Sequence, residues 1–402
     1  MKRTSLLFAL LLGFLAEVFA GAVAPACLLD VPKGFDSSYV SPKLVLDKPS
    51  GTTAYYRLTF DAKSPVDGYW WVDFYDREDT LLPDVNSRLY ASEGFIPYDV
   101  VVPACPEAVT AVVKFSLKKP NVAQVRDLKT RRISVDEAAA WCARTYAAGP
   151  QLVPFETAGS WERLPKTRRA LTGGKRRFDV VLLGDSLMND SYCGLLGVQM
   201  QKLFPDVDLR VHISVRGSTG CWYYHEKEHF EECVAKYKPD LVLIGGISNC
   251  QTNRFERYRA DRALVEEDFV ETIERCKAIG AEVVVCTPPK SVEFRTSPDA
   301  KELPADFNDE STAADYLQLA FERRAAERTG VQLWDLNGPT CRTVALSGKP
   351  LGWFNRDAVH NDDRGKQLIA QAFGAYFRAA LKTASGSFST RTTTTSSRTP
   401  RS

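Results

Sequence analysis

The chain has 402 residues, 44% of them hydrophobic and 25% charged, with a formal net charge of +2. That length accommodates two domains with cores of their own, and the near-neutral balance removes any overall electrostatic case for nucleic acid or a membrane surface as partner. No two of the ten cysteines are spaced Cys-x-x-Cys, so neither a zinc knuckle nor a thioredoxin-type motif is supported.

The first twenty residues read as a secretory signal peptide. Lys2 and Arg3 form the positive end, Leu6 to Leu15 the apolar run, and Val18-Phe19-Ala20 places cleavage after Ala20. A membrane anchor is the alternative, but Glu17 interrupts a run already too short to span. Lipoprotein processing at Cys27 is a second rival. It is disfavoured by Pro25 within Ala24-Pro25-Ala26-Cys27 and by the distance to the apolar run. The mature chain is therefore expected to be secreted or periplasmic, monomeric, without an integral membrane span, and in a setting where disulfides are allowed.

Residues 28–134 carry the pattern of an all-β sandwich. Tyr56, Leu58 and Phe60 alternate with Arg57, Thr59 and Asp61, the period of a half-buried strand. Further strands are expected at Tyr69–Tyr75, Tyr98–Val102, Val109–Phe115 and Val122–Ile133, separated by turns such as Pro65-Val66-Asp67-Gly68. Residues 135–177 follow as a helix (Val135 to Tyr146) and a loop-like linker. Its Lys166, Arg168, Arg169, Lys175, Arg176 and Arg177 could bind an anion, but with no aromatics interleaved a solvated face is the favoured reading.

Residues 178–383 change to alternating strands and helices. Apolar strands are expected at Phe178–Leu183, Leu209–Val215, Leu241–Ile244, Glu282–Cys286 and Gln332–Asp335, with helices at Leu264–Ile279 and Arg364–Leu381. Such alternation implies an α/β domain with a parallel sheet covered on both faces, its ligands outside the carboxyl ends of the strands. Cys286 reads as a small buried hydrophobe. Residues 384–402 form a Ser/Thr/Arg-rich tail expected to be disordered.

The chemistry gathers at the strand ends. Gly184-Asp185-Ser186 follows the first parallel strand and places a serine hydroxyl at the sheet edge, beside the N–H groups of a starting helix. Alone it is also an ordinary strand-to-helix turn. Arg216-Gly217 follows the second strand and offers a glycine N–H at close approach, and Gly245 to Asn249 follows the third and offers a side-chain amide. Before the last helix stands Asp357-Ala358-Val359-His360, where a carboxylate can hold the tautomer of an imidazole whose other nitrogen faces the nucleophile.

In this order the four blocks resemble the SGNH (GDSL-type) hydrolases, at Ser186, Gly217, Asn249 and His360, with Asp357 in the Asp-x-x-His position. The third block departs from the family, reading Ser-Asn-Cys where many members have Gly-x-Asn-Asp. The resemblance implies a flavodoxin-like three-layer α/β/α fold and a two-step acyl transfer without cofactor or metal. Ser186 would be nucleophile, His360 base and Asp357 its orienting acid. The N–H groups of Ser186 and Gly217 and the Asn249 amide would form the oxyanion hole. Family habit and secretion point to O-acyl, chiefly O-acetyl, esters on a polysaccharide, with Arg216, Trp222 and Tyr223 as candidate substrate contacts. The alternatives are a lipase, arylesterase or thioesterase with the same triad, or a non-catalytic carbohydrate-binding protein. A disulfide between Cys221 and Cys250 would brace the loops of Gly217 and Asn249.

The β-segment resembles galactose-binding-like, carbohydrate-binding-module domains around Tyr55 to Phe60 and Trp70 to Phe74, although aromatic residues in a sandwich are more often core. Core packing is the alternative for Trp222 and Tyr223 too. His225-Glu226-Lys227-Glu228-His229 matches a zinc-protease motif letter for letter, but its charged surroundings and the missing third histidine favour a solvated helix. His212, inside a strand, reads as a core or edge residue.

Overall fold

Period-two alternation builds the first unit. In the computed structural model, which describes residues 27–28, 34–173, 177–245, 263–287, 317–357 and 360–385, two antiparallel sheets pack face to face. One contains β1 (Cys27–Leu28), β2 (Phe35–Asp36), β5 (Ala54–Lys63), β8 (Ile96–Ala104) and β10 (Val122–Ile133). The other contains β3 (Ser38–Val40), β4 (Leu44–Val45), β6 (Gly68–Tyr75), β7 (Val85–Leu89) and β9 (Thr110–Leu117). Every second residue points inward, so Phe60 of β5 stacks on Tyr98 at 4.6 Å and meets Phe115 of β9 edge-on at 5.1 Å. Strand β7 lies at the edge of its sheet.

Helix α1 (Val135–Ala147) starts on a capping box, with Ser134 and Glu137 satisfying each other's backbone N–H groups. The stretch read as a solvated linker is partly a correction. It contains α2 (Pro165–Thr172) and buries Trp161, Leu164 and Leu171. The Trp161 indole donates to Tyr376 O at 2.7 Å, so apolar anchors tie this segment down despite its basic character.

The second unit is a five-stranded parallel sheet: β11 (Arg177–Gly184), β12 (Asp208–Val215), β13 (Leu241–Gly245), β14 (Glu282–Cys286) and β15 (Gln332–Trp334), in spatial order β12-β11-β13-β14-β15. Successive residues serve opposite faces. Val180 and Leu182 join one core with Phe373 and Phe377, whereas Val181 and Leu183 join another with Phe269 and Phe321. Helices α3 (Ser186–Cys193), α4 (Leu196–Leu203), α5 (Cys221–Tyr224), α6 (Lys227–Cys233), α7 (Ala263–Ala278), α8 (Leu317–Thr329), α9 (Asn337–Leu346) and α10 (Asp363–Ser385) complete the unit. Glycine is required where the sheet edge is tightest. A Cβ on Gly184 would lie 2.0 Å from Gly245 O, and one on Gly245 would lie 2.2 Å from Cys286 O. Among the described residues no helix is long and apolar enough to cross a membrane.

The two units share a continuous core and a buried polar contact. His212 of β12 sits with Nδ1 2.6 Å from Glu107 and Nε2 3.0 Å from Asp179, its ring stacked on Tyr237 at 4.3 Å. Burial opposes its charge, but hydrogen bonds to Asp179 and Glu107 outweigh it and raise the imidazole above its ordinary 6.5. The same contacts overcome burial to hold Glu107 below its ordinary value and Asp179 at about 2. The histidine's share of stability is complete below its ordinary value and is lost as pH rises through the raised one. The carboxylates' share is present above their ordinary values and is lost as pH falls through the depressed ones. Melting temperature should therefore peak between about pH 4.5 and 6.5, the ordinary values of Glu107 and His212. His212→Gln should flatten the decline on the alkaline side in a thermal-denaturation pH series. A wild-type curve without that decline would contradict the assignment.

Candidate active site

The turn between β11 and α3 is set by a division of labour between Asp185 and Ser186. Asp185, fully buried, caps α3 by accepting from Leu187 N at 2.9 Å. Ser186, the first residue of that helix, is half-buried and points its hydroxyl elsewhere. Gly184 O receives the N–H of Arg216 at 3.1 Å and the Tyr224 hydroxyl at 2.5 Å, which draws the Gly217 loop against this turn.

The opposite side is a tight loop ahead of α10. An isolated bridge pairs Asn355 with Asn361. Inside it Arg356 N donates to His360 O at 3.0 Å, and outside it Asp362 N donates to Phe354 O at 2.8 Å. Asp362 then caps α10 through Arg364 N and Gly365 N. Burial and the neighbouring Asp363 raise its carboxyl to about 6.

This loop presents His360 to Ser186. Its Nε2 lies 2.9 Å from Ser186 Oγ, and its Nδ1 lies 3.0 Å from both carboxylate oxygens of Asp357. Asp357 also accepts the backbone N–H of His360 at 2.8 Å, so one carboxylate fixes both ring and loop. Because an ionised carboxylate only accepts, Nδ1 must carry the proton, and Nε2 is left as an acceptor toward the serine. Such an arrangement can remove the hydroxyl proton during attack on an acyl carbon.

The other expected site residues are distributed as follows. Gly217 is exposed, with open space around its Cα. Arg216 lies over the Tyr223 ring at 4.5 Å. Trp222 and Tyr223 are half-buried in α5 and pack at the rim of the second core. Asn249 lies outside the described residues, as does Cys250, so the bracing disulfide and one oxyanion donor have no structural account, and Cys221 itself is buried. Residues 1–20, expected as a signal peptide, and most of the expected tail also lie outside the described residues.

The zinc-like motif is split by the fold. Helix α6 begins at Lys227, with Glu226 extended before it, so the two histidines do not share a helix face. They are not fully solvated either. His229 stacks on Tyr223 at 3.7 Å, and His225 Nδ1 lies 3.4 Å from Glu271.

Sequence reasoning missed a buried charge cluster directly behind the loop. Asp190 of α3 lies 3.5 Å from Arg356 and 4.0 Å from Lys366, and it accepts from Asn361 N at 2.7 Å. Arg356 Nε is in turn 3.6 Å from Asp357. No local motif marks these residues; only their later clustering around Asp-x-x-His could have drawn attention to them.

No family model matches the chain, and no curated protein matches it. The solved structures that match include esterases and hydrolases. One is a two-domain esterase active on acetylated mannans: 14% identity, 61% of this chain and 58% of that one, TM-score 0.42. A second is an α/β hydrolase enzyme from the metagenome of Lake Arreo, Spain, at 20% identity over 50% of this chain and 96% of that one, TM-score 0.40. A third is an acetyl xylan esterase at 18% identity, 49% of this chain and 98% of that one, TM-score 0.37. This chain thus spans less than two thirds of the length of the two-domain esterase.

Proposed function

We propose that this protein is an exported serine esterase of the SGNH type that removes O-acyl groups, chiefly O-acetyl, from a polysaccharide. One observation carries the ester chemistry: His360 bridges Ser186 Oγ and Asp357 at 2.9 and 3.0 Å. Sheet order supports the family, since β12-β11-β13-β14-β15 corresponds to the flavodoxin-type order 2-1-3-4-5, and Ser186 follows β11, one of the two strands that flank the switch point.

Ser186 Oγ attacks the ester carbonyl as its proton passes to His360 Nε2, and Asp357 stabilises the resulting imidazolium. The carbonyl oxygen becomes an oxyanion held by the N–H groups of Ser186, at a helix N-terminus, and of Gly217, with the Asn249 amide as third donor. His360 then gives that proton to the leaving sugar oxygen, which departs as a hydroxyl. A water, deprotonated by the same nitrogen, releases the acid and regenerates Ser186. No step calls for a metal or organic cofactor.

The polysaccharide part of the proposal follows from the signal peptide and the aromatic β-unit in the sequence. Acetate release from acetylated xylan and glucomannan, compared with hydrolysis of p-nitrophenyl octanoate, tests it. Higher kcat/KM on the acetylated polysaccharides is expected. A preference for the long-chain ester would transfer the same triad to lipid substrates.

A further inference from the structure

We propose that strand β7 of the amino-terminal unit is a positioning element of the active site, with Asn86 and Tyr90 holding the loop that carries Asp357 and His360. The proposal rests on the reading of Ser186, His360 and Asp357 as a triad.

Strand β7 is a short edge strand with two distinct faces. Val85, Ser87 and Leu89 are buried within their own unit, so residues 84, 86, 88 and 90 share the opposite side. That side meets the catalytic machinery at three places. Asp84 O accepts from Asn189 Nδ2 at 2.8 Å, which fastens the helix that begins with Ser186. Asn86 accepts from Arg356 through its side-chain oxygen and from Lys366 through its backbone carbonyl. Tyr90 donates its hydroxyl to Asp362 Oδ2 at 3.1 Å, at the far end of the loop. The Asn86 amide is oriented by its own donation to Asp84, so its oxygen is the atom left to face Arg356.

These contacts tie both halves of the triad to one rigid element. Nucleophile and base belong to segments 174 residues apart, and the loop's own backbone bridge is a single pair. Arg356 is the hinge of the arrangement. Its guanidinium is held by Asn86 and Asp190, while its Nε stands 3.6 Å from Asp357. If Asn86 releases it, the carboxylate that orients His360 loses its fixed neighbour. Displacements of about 1 Å in a reacting group can cost on the order of a hundredfold in rate. The β-unit would then support chemistry in addition to, or in place of, capturing substrate.

The test is steady-state hydrolysis of p-nitrophenyl acetate by the full chain, with melting temperature recorded for each variant. Asn86→Ala should lower kcat by roughly ten- to a hundredfold with KM within about twofold of wild type. Asn86→Asp combined with Asp84→Asn keeps both an acceptor oxygen for Arg356 and the hydrogen bond between positions 84 and 86, and should restore kcat to within about threefold of wild type. Tyr90→Phe, which keeps the ring, should lower kcat by about threefold or more at unchanged KM, and it decides the matter if Asn86→Ala does not fold. Wild-type kcat in both Asn86→Ala and Tyr90→Phe would overturn the proposal. So would a loss in Asn86→Ala that the paired exchange Asp84→Asn with Asn86→Asp leaves unrepaired, because that marks a general structural effect. Ser186→Ala, assayed alongside, separates the two levels. If turnover survives that change, the triad reading fails and this proposal with it; if turnover is lost while Asn86→Ala and Tyr90→Phe remain fully active, only the positioning role fails.

Discussion

Ser186→Ala is expected to lower kcat for p-nitrophenyl acetate by roughly 10,000-fold or more, because every step of the proposed cycle passes through its oxygen. Folding should be unaffected. The helix cap belongs to Asp185, and the serine hydroxyl makes its contact with His360 at the site itself. His360→Ala should bring a loss of similar size, and the double variant should be little worse than either single one, since residues that act as a unit are not additive. Thermal melts of all three beside the kinetics check this. A Ser186→Ala protein that retains substantial turnover, or one that loses it only by unfolding, would contradict the assignment.

The second large effect is on stability and comes from Asp190. Its carboxylate is almost fully buried together with Arg356 and Lys366. Burying cations without a counter-charge is costly, and removing one partner of such a cluster typically destabilises by about 3–5 kcal/mol. Asp190→Asn keeps the shape but withdraws the charge from both cations, so its unfolding free energy, measured by urea denaturation, should fall by an amount in that range. Asp190→Asn combined with Lys366→Met should recover part of the loss, since a buried cation leaves with the anion. A change below about 1 kcal/mol in the single variant would mean that the cations are adequately solvated by Asn86 and water. Catalysis should suffer too, because Arg356 links this cluster to Asp357.

Much of this fold is legible from period alone. Strand β5 alternates apolar and polar residues, and β6, β9 and β10 are β-prone runs set between turn residues, so that their expected positions fall within two residues of the observed ends, and β10 coincides. Most parallel strands are equally plain, as apolar runs in β11, β13 and β14 and as strict alternation in β12. Strand β7 is not legible. Ser87 is buried where an apolar residue would be expected, and Asn86 and Arg88 flank it, so the contrast between faces disappears. Strands β1 to β4, of two or three residues each, are too short to show a period.

The site divides in the same way. Ser186, Asp357 and His360 stand out because each follows a strand or precedes a helix in a recognisable block, and the structure brings these three side chains together. The buried cluster behind them is hidden because Asp, Arg and Lys default to the surface in any reading of sequence. Its burial depends on contacts between β7, α3 and the loop before α10, which are far apart in the chain. The basic segment before β11 misleads for a related reason. Its charges dominate the composition, whereas Trp161, Leu164 and Leu171 decide where it packs.

The most direct measurement is peptide mapping by mass spectrometry after treatment with diisopropyl fluorophosphate, which reports an activated serine whatever the natural ester. A single adduct on Ser186 is predicted, formed rapidly in the wild-type protein and lost in His360→Ala. An unmodified Ser186 peptide in folded protein, or an adduct on a different serine, would contradict the account.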